Sequence, residues 1–400
     1  MEKVRFGIIG VGNMGYSHAK KMLAGNVENG YLSAVCDLKE DKLARVKELE
    51  GSENVKTFTD YKEMLASGTC DAIVVAVPHY DHPRLVIEAL ESGHHVVCEK
   101  PAGVYTKQVK EMNAVAEKSD KLFTMMFNQR TNCVYRKMHE MIQNGELGEI
   151  KRIIWTITNW YRPQSYYDSG DWRATWKGEG GGVLFNQCPH QLDLIQWIPG
   201  ISPVKVRAFC HYGKWHDIEV EDDVTAYMEY ANGATGVFIT STADAPGTNR
   251  LEILGDKGQL ICEHFGSVYG TESGKRDKLT FIRNEVSERE FNKTCTASFG
   301  SPAQTLVTVE TDGQNPQHVG IFNNFANAIL GLEPLFVDGK EGLNGVELMD
   351  AMQLSGWLQK EVTLPIDDDL YYAELQKKIA TGRKKETVTE TVTLDMSNTF

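Results

Sequence analysis

Three glycines mark the first place in this chain where residue type and spacing could do chemistry. Gly10, Gly12 and Gly15 stand at the G-x-G-x-x-G spacing. Each position answers a physical demand: a tight turn, backbone close to a pyrophosphate, and close packing of a helix on a strand. Such a pattern alone is a weak signal, because Gly-rich turns are common. Here it follows an apolar run at 4–9 and opens a helix expected over 12–23, whose N-terminal amides and dipole would face phosphate. Asn13 and Met14, in the first turn of that helix, join the glycines as cofactor-binding candidates. A second apolar run, 31–36, ends in Asp37. A carboxylate there accepts both hydroxyls of an adenosine ribose and repels a 2′-phosphate. These residues predict a dinucleotide site that takes NAD in preference to NADP.

Two further stretches could act on a ligand. Glu99-Lys100-Pro101 follows directly on an apolar run at 95–98. In doubly wound sheets ligands sit beyond the carboxyl ends of the strands, so Lys100 would face the nicotinamide end of the cofactor. Downstream, Gly180-Gly181-Gly182 precedes Asn186, His190 and Asp193. On one helix these three would share a face at i, i+4 and i+7. Pro189 removes one helical hydrogen bond, so a kink or a later helix start is expected. A lone helical histidine is more often a packing residue than a catalyst; three polar groups on one face beside a triple glycine favour function. Between these stretches, residues 155–176 include Trp155, Trp160, Tyr161, Tyr166, Tyr167, Trp172 and Trp176, in a chain that is 9% aromatic. Tyr161, Trp172 and Arg173 are the candidates there for a sugar site, because flat apolar rings amid hydrogen-bonding groups suit a pyranose or an aromatic aglycone.

These residues need a scaffold. Over 1–127 apolar runs at 4–9, 31–36, 71–77, 95–98 and 122–127 alternate with helical patterns, which predicts an α/β unit with a doubly wound parallel Rossmann sheet. Thr106 is read as the cap of a helix reaching 118. From 128 the pattern changes. A helix near 134–144 is followed by β-like runs at 150–161, 204–214, 224–230, 234–241, 250–254, 258–262 and 279–283, then by helical patterns at 319–330 and 339–360. This predicts an α+β unit over 128–365 with a large open, mostly antiparallel sheet. It would bind substrate and make the oligomer contact, because the run at 234–241 carries apolar groups on both faces. Residues 366–400 form an extension, basic over 377–385 and alternating in threonine over 387–394; that alternation suits either a strand on a sheet edge or a disordered end.

A net charge of −13 argues against nucleic acid as a partner, since phosphate binding needs a basic stripe. No apolar run reaches the length of a membrane helix and no secretory leader is evident, which points to a cytoplasmic protein that does not meet a membrane. Eight scattered cysteines without C-x-x-C pairs read as reduced thiols, with neither a disulfide frame nor a metal site expected.

Taken together, the motifs resemble the glucose–fructose oxidoreductase / inositol dehydrogenase (Gfo/Idh/MocA) family over residues 4–365. The resemblance rests on Gly10-x-Gly12-x-x-Gly15, Pro78…His82, Glu99-Lys100-Pro101 and Gly181-Gly182…His190-x-x-Asp193, with Val220–Asp223 and Gly255–Gly258 as further matches. It implies oxidation or reduction of a sugar or cyclitol hydroxyl with nicotinamide, and a homo-oligomer. It assigns Lys100 and His190 to catalysis and adds Pro78, His79, His82, Glu99 and Lys100 to the NAD site. Asn186, His190 and Asp193, with Lys100, would meet the substrate. Asn186 stands where many members carry Asp, and His79 where Asn is common. The wording Asn-Gln-Cys-Pro-His-Gln-Leu-Asp is most similar to members acting on glucosides and anhydrosugars, including glycoside 3-dehydrogenases. Two alternatives stay open: redox-assisted deglycosylation with a tightly bound, cycling NAD, and a non-catalytic NAD/sugar sensor.

Overall fold

The computed structural model describes residues 3–264, 277–383 and 385. Six strands, β1 (Val4–Ile9), β2 (Gly30–Cys36), β3 (Lys56–Phe58), β4 (Ala72–Val75), β5 (His95–Cys98) and β6 (Phe123–Met125), pair in parallel in the order β3-β2-β1-β4-β5-β6. All four residues of β4 are buried, as a strand covered on both faces requires. The helices α1 (Asn13–Leu23), α2 (Glu40–Lys47), α3 (Tyr61–Ala66), α4 (His82–Glu91) and α5 (Thr106–Ala116) make the crossovers. The strand order reverses at β1, so the crevice beyond the ends of β1 and β4 is the place for a ligand. Thr106 does not cap α5: the N-cap position falls on Tyr105, which makes no side-chain cap bond, and the Thr106 hydroxyl instead donates to Asp368 at 2.8 Å.

Beyond α6 (Cys133–Gln143) the chain builds a nine-stranded sheet from β7 (Ile150–Ile157), β8 (Pro203–Tyr212), β9 (Glu221–Tyr230), β10 (Thr235–Ser241), β11 (Asn249–Gly255), β12 (Gly258–His264), β13 (Asp277–Asn284), β14 (Gln304–Thr308) and β15 (Val362–Thr363). Every neighbouring pair is antiparallel except β7–β10. Burial alternates along β9 and β10, the signature of a sheet packed on one face. Trp155 on β7 is fully buried against Phe238 on β10, with its indole N–H given to Asn249 at 3.0 Å. β7 stops at Ile157, short of the expected 161. The backbone then crosses to the 240s, with Thr158 N–H on Thr248 O at 2.7 Å and Arg162 N–H on Thr242 O at 2.8 Å.

The remaining helices are α7 (Gln164–Asp168), α8 (Val183–Asn186), α9 (Pro189–Trp197), α10 (Glu288–Thr294), α11 (Gln317–Ile329), α12 (Gly342–Leu358) and α13 (Asp368–Thr381). Pro189 begins α9, where its missing N–H costs nothing. α11 returns to the first sheet: Phe322 meets Phe6 edge-on at 5.9 Å, and burying such a ring contributes roughly 1.5–3 kcal/mol. α13 was not expected from the basic tract; Asp367 caps it and it buries Tyr371 and Leu375. The threonine-alternating tract 387–394 lies outside the described residues. Among the described residues no helix is long and apolar enough to cross a membrane, and no group of His, Cys, Asp and Glu could hold a metal ion.

Candidate active site

At the end of β1 the chain turns through Gly10, whose φ is 89°. A Cβ at Gly15 would lie 1.9 Å from Gly10 O, so α1 can seat on the turn only without a side chain there. At Gly12 an added Cβ would meet no protein atom within 4 Å, and α1 has no side-chain cap. The turn is therefore an open cradle with the first-turn amides of Asn13 and Met14 beside it, which fits a pyrophosphate. The Asp37 carboxylate accepts from Val11 N–H and Lys39 N–H, each at 3.0 Å, and lies 3.6 Å from Lys42 Nζ. It ties the glycine turn to the end of β2 and keeps acceptor capacity for ribose hydroxyls.

Pro78 leads into a short turn, His79–Asp81, at the end of β4. His82 differs from its expected place on the cofactor. Its Nδ1 lies 2.7 Å from Pro101 O and its Nε2 2.8 Å from Val77 O, so both ring nitrogens face protein carbonyls and lock two loops together. Glu99 is likewise turned inward. Its Oε1 is 2.6 Å from His18 Nε2, and its Oε2 accepts from the Lys100 N–H at 3.2 Å. Burial opposes its charge, but the His18 bond and the nearby Lys100 ammonium outweigh that and hold it below the ordinary carboxylate range.

Lys100 extends from this loop toward the second sheet. Its Nζ donates to the main-chain carbonyl of Asn186 at 3.0 Å. Burial lowers its pKa below the ordinary 10.5, against the opposing pull of Glu99 and Glu179. His190, in the first turn of α9, is 2% exposed and edge-on to Phe127 at 6.3 Å. Burial first, and then the Lys100 charge, push its pKa well below 6.5, so it is a neutral imidazole at pH 7. Asp193, expected to meet the substrate, has its carboxylate engaged by the protein. Its oxygens take a bidentate pair from Arg130, Nε at 2.8 Å and Nη2 at 2.5 Å, and Arg130 also reaches Glu341 at 2.8 Å. The correction has a simple cause: a buried carboxylate needs a cation, and Arg130 is the one the fold brings to it.

The side chain of Asn186 lies in a network that spacing does not reveal. Its Nδ2 donates to Glu179, and its Oδ1 accepts from the Tyr166 hydroxyl at 3.0 Å. Tyr166 in turn accepts from Arg173 Nη1 at 2.9 Å, and the Arg173 guanidinium stacks on both Tyr166 and Trp172 at 4.6 Å. Trp172 stands edge-on to His79 at 6.2 Å. His79 is buried, 3.3 Å from Glu179 O, and kept neutral chiefly by burial, with the Lys100 charge adding to it. Tyr161 is the most exposed of these candidates, at 46%. Lys100, Asn186, His190, His79, Trp172 and Arg173 are thus gathered at one place. Glu179 and Tyr166 were missed as site residues, although Glu179 directly precedes the triple glycine and Tyr166 is one of the clustered aromatics. Arg162 was missed too; its charge faces Lys100.

Comparison with known proteins identifies the family of both parts of the chain. Residues 4–127 match the model of an oxidoreductase family with an NAD-binding Rossmann fold, and residues 135–261 match the GFO/IDH/MocA C-terminal domain. The chain is 27% identical over 268 residues to myo-inositol 2-dehydrogenase of Thermotoga maritima, covering 65% of this chain and 75% of that one. It is 27% identical over 280 residues to D-glucoside 3-dehydrogenase of Escherichia coli, covering 64% and 76%. The crystal structure of the WlbA dehydrogenase from Bordetella pertussis, in complex with NADH and UDP-GlcNAcA, superposes with a TM-score of 0.75 at 26% identity, covering 92% of this chain and 99% of that one. With the nucleotide-binding and the C-terminal models both matched in order along one chain, this protein belongs to the Gfo/Idh/MocA family of NAD-dependent oxidoreductases.

Proposed function

We propose that this enzyme oxidises, reversibly, a secondary hydroxyl of a sugar, cyclitol or glycoside, with C3 of a glucoside as the favoured position. The observation that carries the reading is the Lys100–Asn186 contact, which sets one proton-transferring nitrogen between the strand ends of the first sheet and the α8–α9 pair. The relatives named for an inositol, a glucoside and a nucleotide sugar support a hydroxylated ring as substrate, and the Escherichia coli relative supports the position.

In this reading Gly10, Gly12, Asn13, Met14, Asp37, Pro78 and His79 hold the dinucleotide. Bound NAD supplies the hydride acceptor. Lys100, its pKa lowered by burial, takes the hydroxyl proton at Nζ. His190 stays neutral, so it orients the same hydroxyl through a ring nitrogen and shares the proton. Asn186, Trp172 and Arg173 position the rest of the ring, with Tyr161 at the rim. The open face of the second sheet exposes Phe209 and Tyr227, beside half-buried Val237 and Ile239. Tyr227 pairs with Val237, and Phe209 and Ile239 lie on either side of Thr225 in the next row; the reading makes that face the contact of a homo-oligomer, and a monomeric mass by light scattering would refute it.

The test of function is a panel of sugars, cyclitols and glucosides with NAD⁺, with NADH counted against identified product. One NADH per oxidised ring is expected. Product without NADH would mean deglycosylation with a cycling cofactor. Saturable sugar binding without any turnover would mean a sensor.

A further inference from the structure

The loop 166–180 carries Trp172 and Arg173, yet after α7 it has no regular structure to hold it. Its backbone is pinned from two directions by opposite charges. From one side the Glu179 carboxylate accepts from Ala174 N–H at 2.6 Å and from the Asn186 amide. From the other, Lys385 Nζ donates to three main-chain carbonyls: Tyr167, Gly170 at 2.9 Å and Arg173 at 3.3 Å. An ammonium has three donors and no acceptor, so three converging carbonyls fill its capacity. Hydrogen bonds from a charged donor are roughly twice as strong as neutral ones. Arg383, two residues earlier in the chain, is itself anchored beside the loop. Arg383 N–H gives to Glu219 Oε2 at 2.6 Å, and Glu219 Oε1 accepts from Trp176 N–H at 2.7 Å. Burial lowers the Lys385 pKa while Asp168 and Glu179 oppose that pull.

We propose that Lys385 is a positioning residue whose ammonium clamps the carbonyls of the loop 166–180, so that Trp172 and Arg173 meet the substrate as a preformed wall. The wall's contact with a sugar rests on the function proposed above; the clamp on the loop does not. Preorganisation of this kind lowers the ordering cost of binding. It therefore appears in the affinity for the sugar and leaves the proton-transferring group untouched.

Lys385→Met keeps the side chain's length and removes its donors. Hydrogen exchange on the whole protein should show faster exchange of the loop amides of Ala174, Gly178, Glu179 and Gly180, all bonded within the site. Exchange in β1 and β4 should be unchanged. With a verified substrate, the sugar KM should rise about tenfold, the factor given by ~1.4 kcal/mol, while kcat and NADH affinity stay near wild type. Unchanged loop exchange overturns the clamp. Faster exchange with an unchanged KM overturns the positioning role. Exchange needs no substrate, so a wild-type protein that oxidises no sugar refutes the dehydrogenase reading and leaves the clamp to be judged on exchange alone.

Discussion

The two ends of the site are made by opposite means. At the cofactor end, the geometry comes from side chains that are absent: Gly10, Gly12 and Gly15 let backbone, helix and ligand approach, and one carboxylate, Asp37, accepts from the turn's Val11 amide. At the proposed substrate end, it comes from polar side chains that hold one another, half-buried or buried: Glu179 with Asn186, Tyr166 with Arg173, and the fully buried Asp193 with Arg130. A cradle of backbone tolerates loss of side chains and resists gain of volume. A buried polar network does the reverse, because removing one member strands its partner away from water. Lys100 stands where the two meet, rooted just beyond β5 and bonded to the last residue of α8.

The comparison predicts the largest effect at that junction. Lys100→Met should lower turnover by ~10²–10⁴-fold, the range for losing a general base, while NADH binding followed by fluorescence changes little. In the wild type, oxidation should slow as the pH falls through the Lys100 pKa, which lies below the ordinary 10.5, because the protonated amine accepts no proton. That limb of the profile should vanish in the variant. Near wild-type turnover would show that another group takes the proton.

The next effect tests the polar network. Arg130→Met leaves Asp193 buried without its cation, and breaking such a pair costs about 3–5 kcal/mol, read as a lower midpoint in denaturant. Adding Asp193→Leu should recover most of the loss. If the single variant is as stable as wild type, the pair does not hold the substrate end together.

The smallest effect belongs to the cofactor end. Asp37→Ser should narrow the preference for NAD over NADP by about tenfold, ~1.4 kcal/mol in relative kcat/KM, with the fold retained because the turn is set by backbone. Equal kcat/KM for the two cofactors in the wild type would remove Asp37 from cofactor selection.

The same contrast explains what the sequence disclosed. Glycine spacing and β-branched runs are local signals, and they place the first sheet, the dinucleotide turn and Lys100 beyond β5. Pro189 marks the break between α8 and α9 for the same reason. The polar network is not local. Nothing near Asp193 announces Arg130, 63 residues away, and nothing near Glu99 announces His18, 81 away. His82 and Asp193 read as ligand-facing because their partners, a pair of carbonyls and a guanidinium, are chosen only when the chain folds. α13 escaped notice because its apolar face is thin: only Tyr371 and Leu375 are buried.

The Lys100–Asn186 bond ends on a main-chain carbonyl, and that has an evolutionary consequence. A peptide oxygen is present whatever residue occupies position 186, so the lysine's anchor survives any substitution that leaves α8 in place. In the reading proposed above, change at this side chain is thereby separable from proton transfer at Lys100. The Asn186 amide meets Glu179, whose carboxyl pKa is pushed up by burial. Under that reading, position 186 would be free to alter its contact with a ring substituent while the anchor of Lys100 stays where it is.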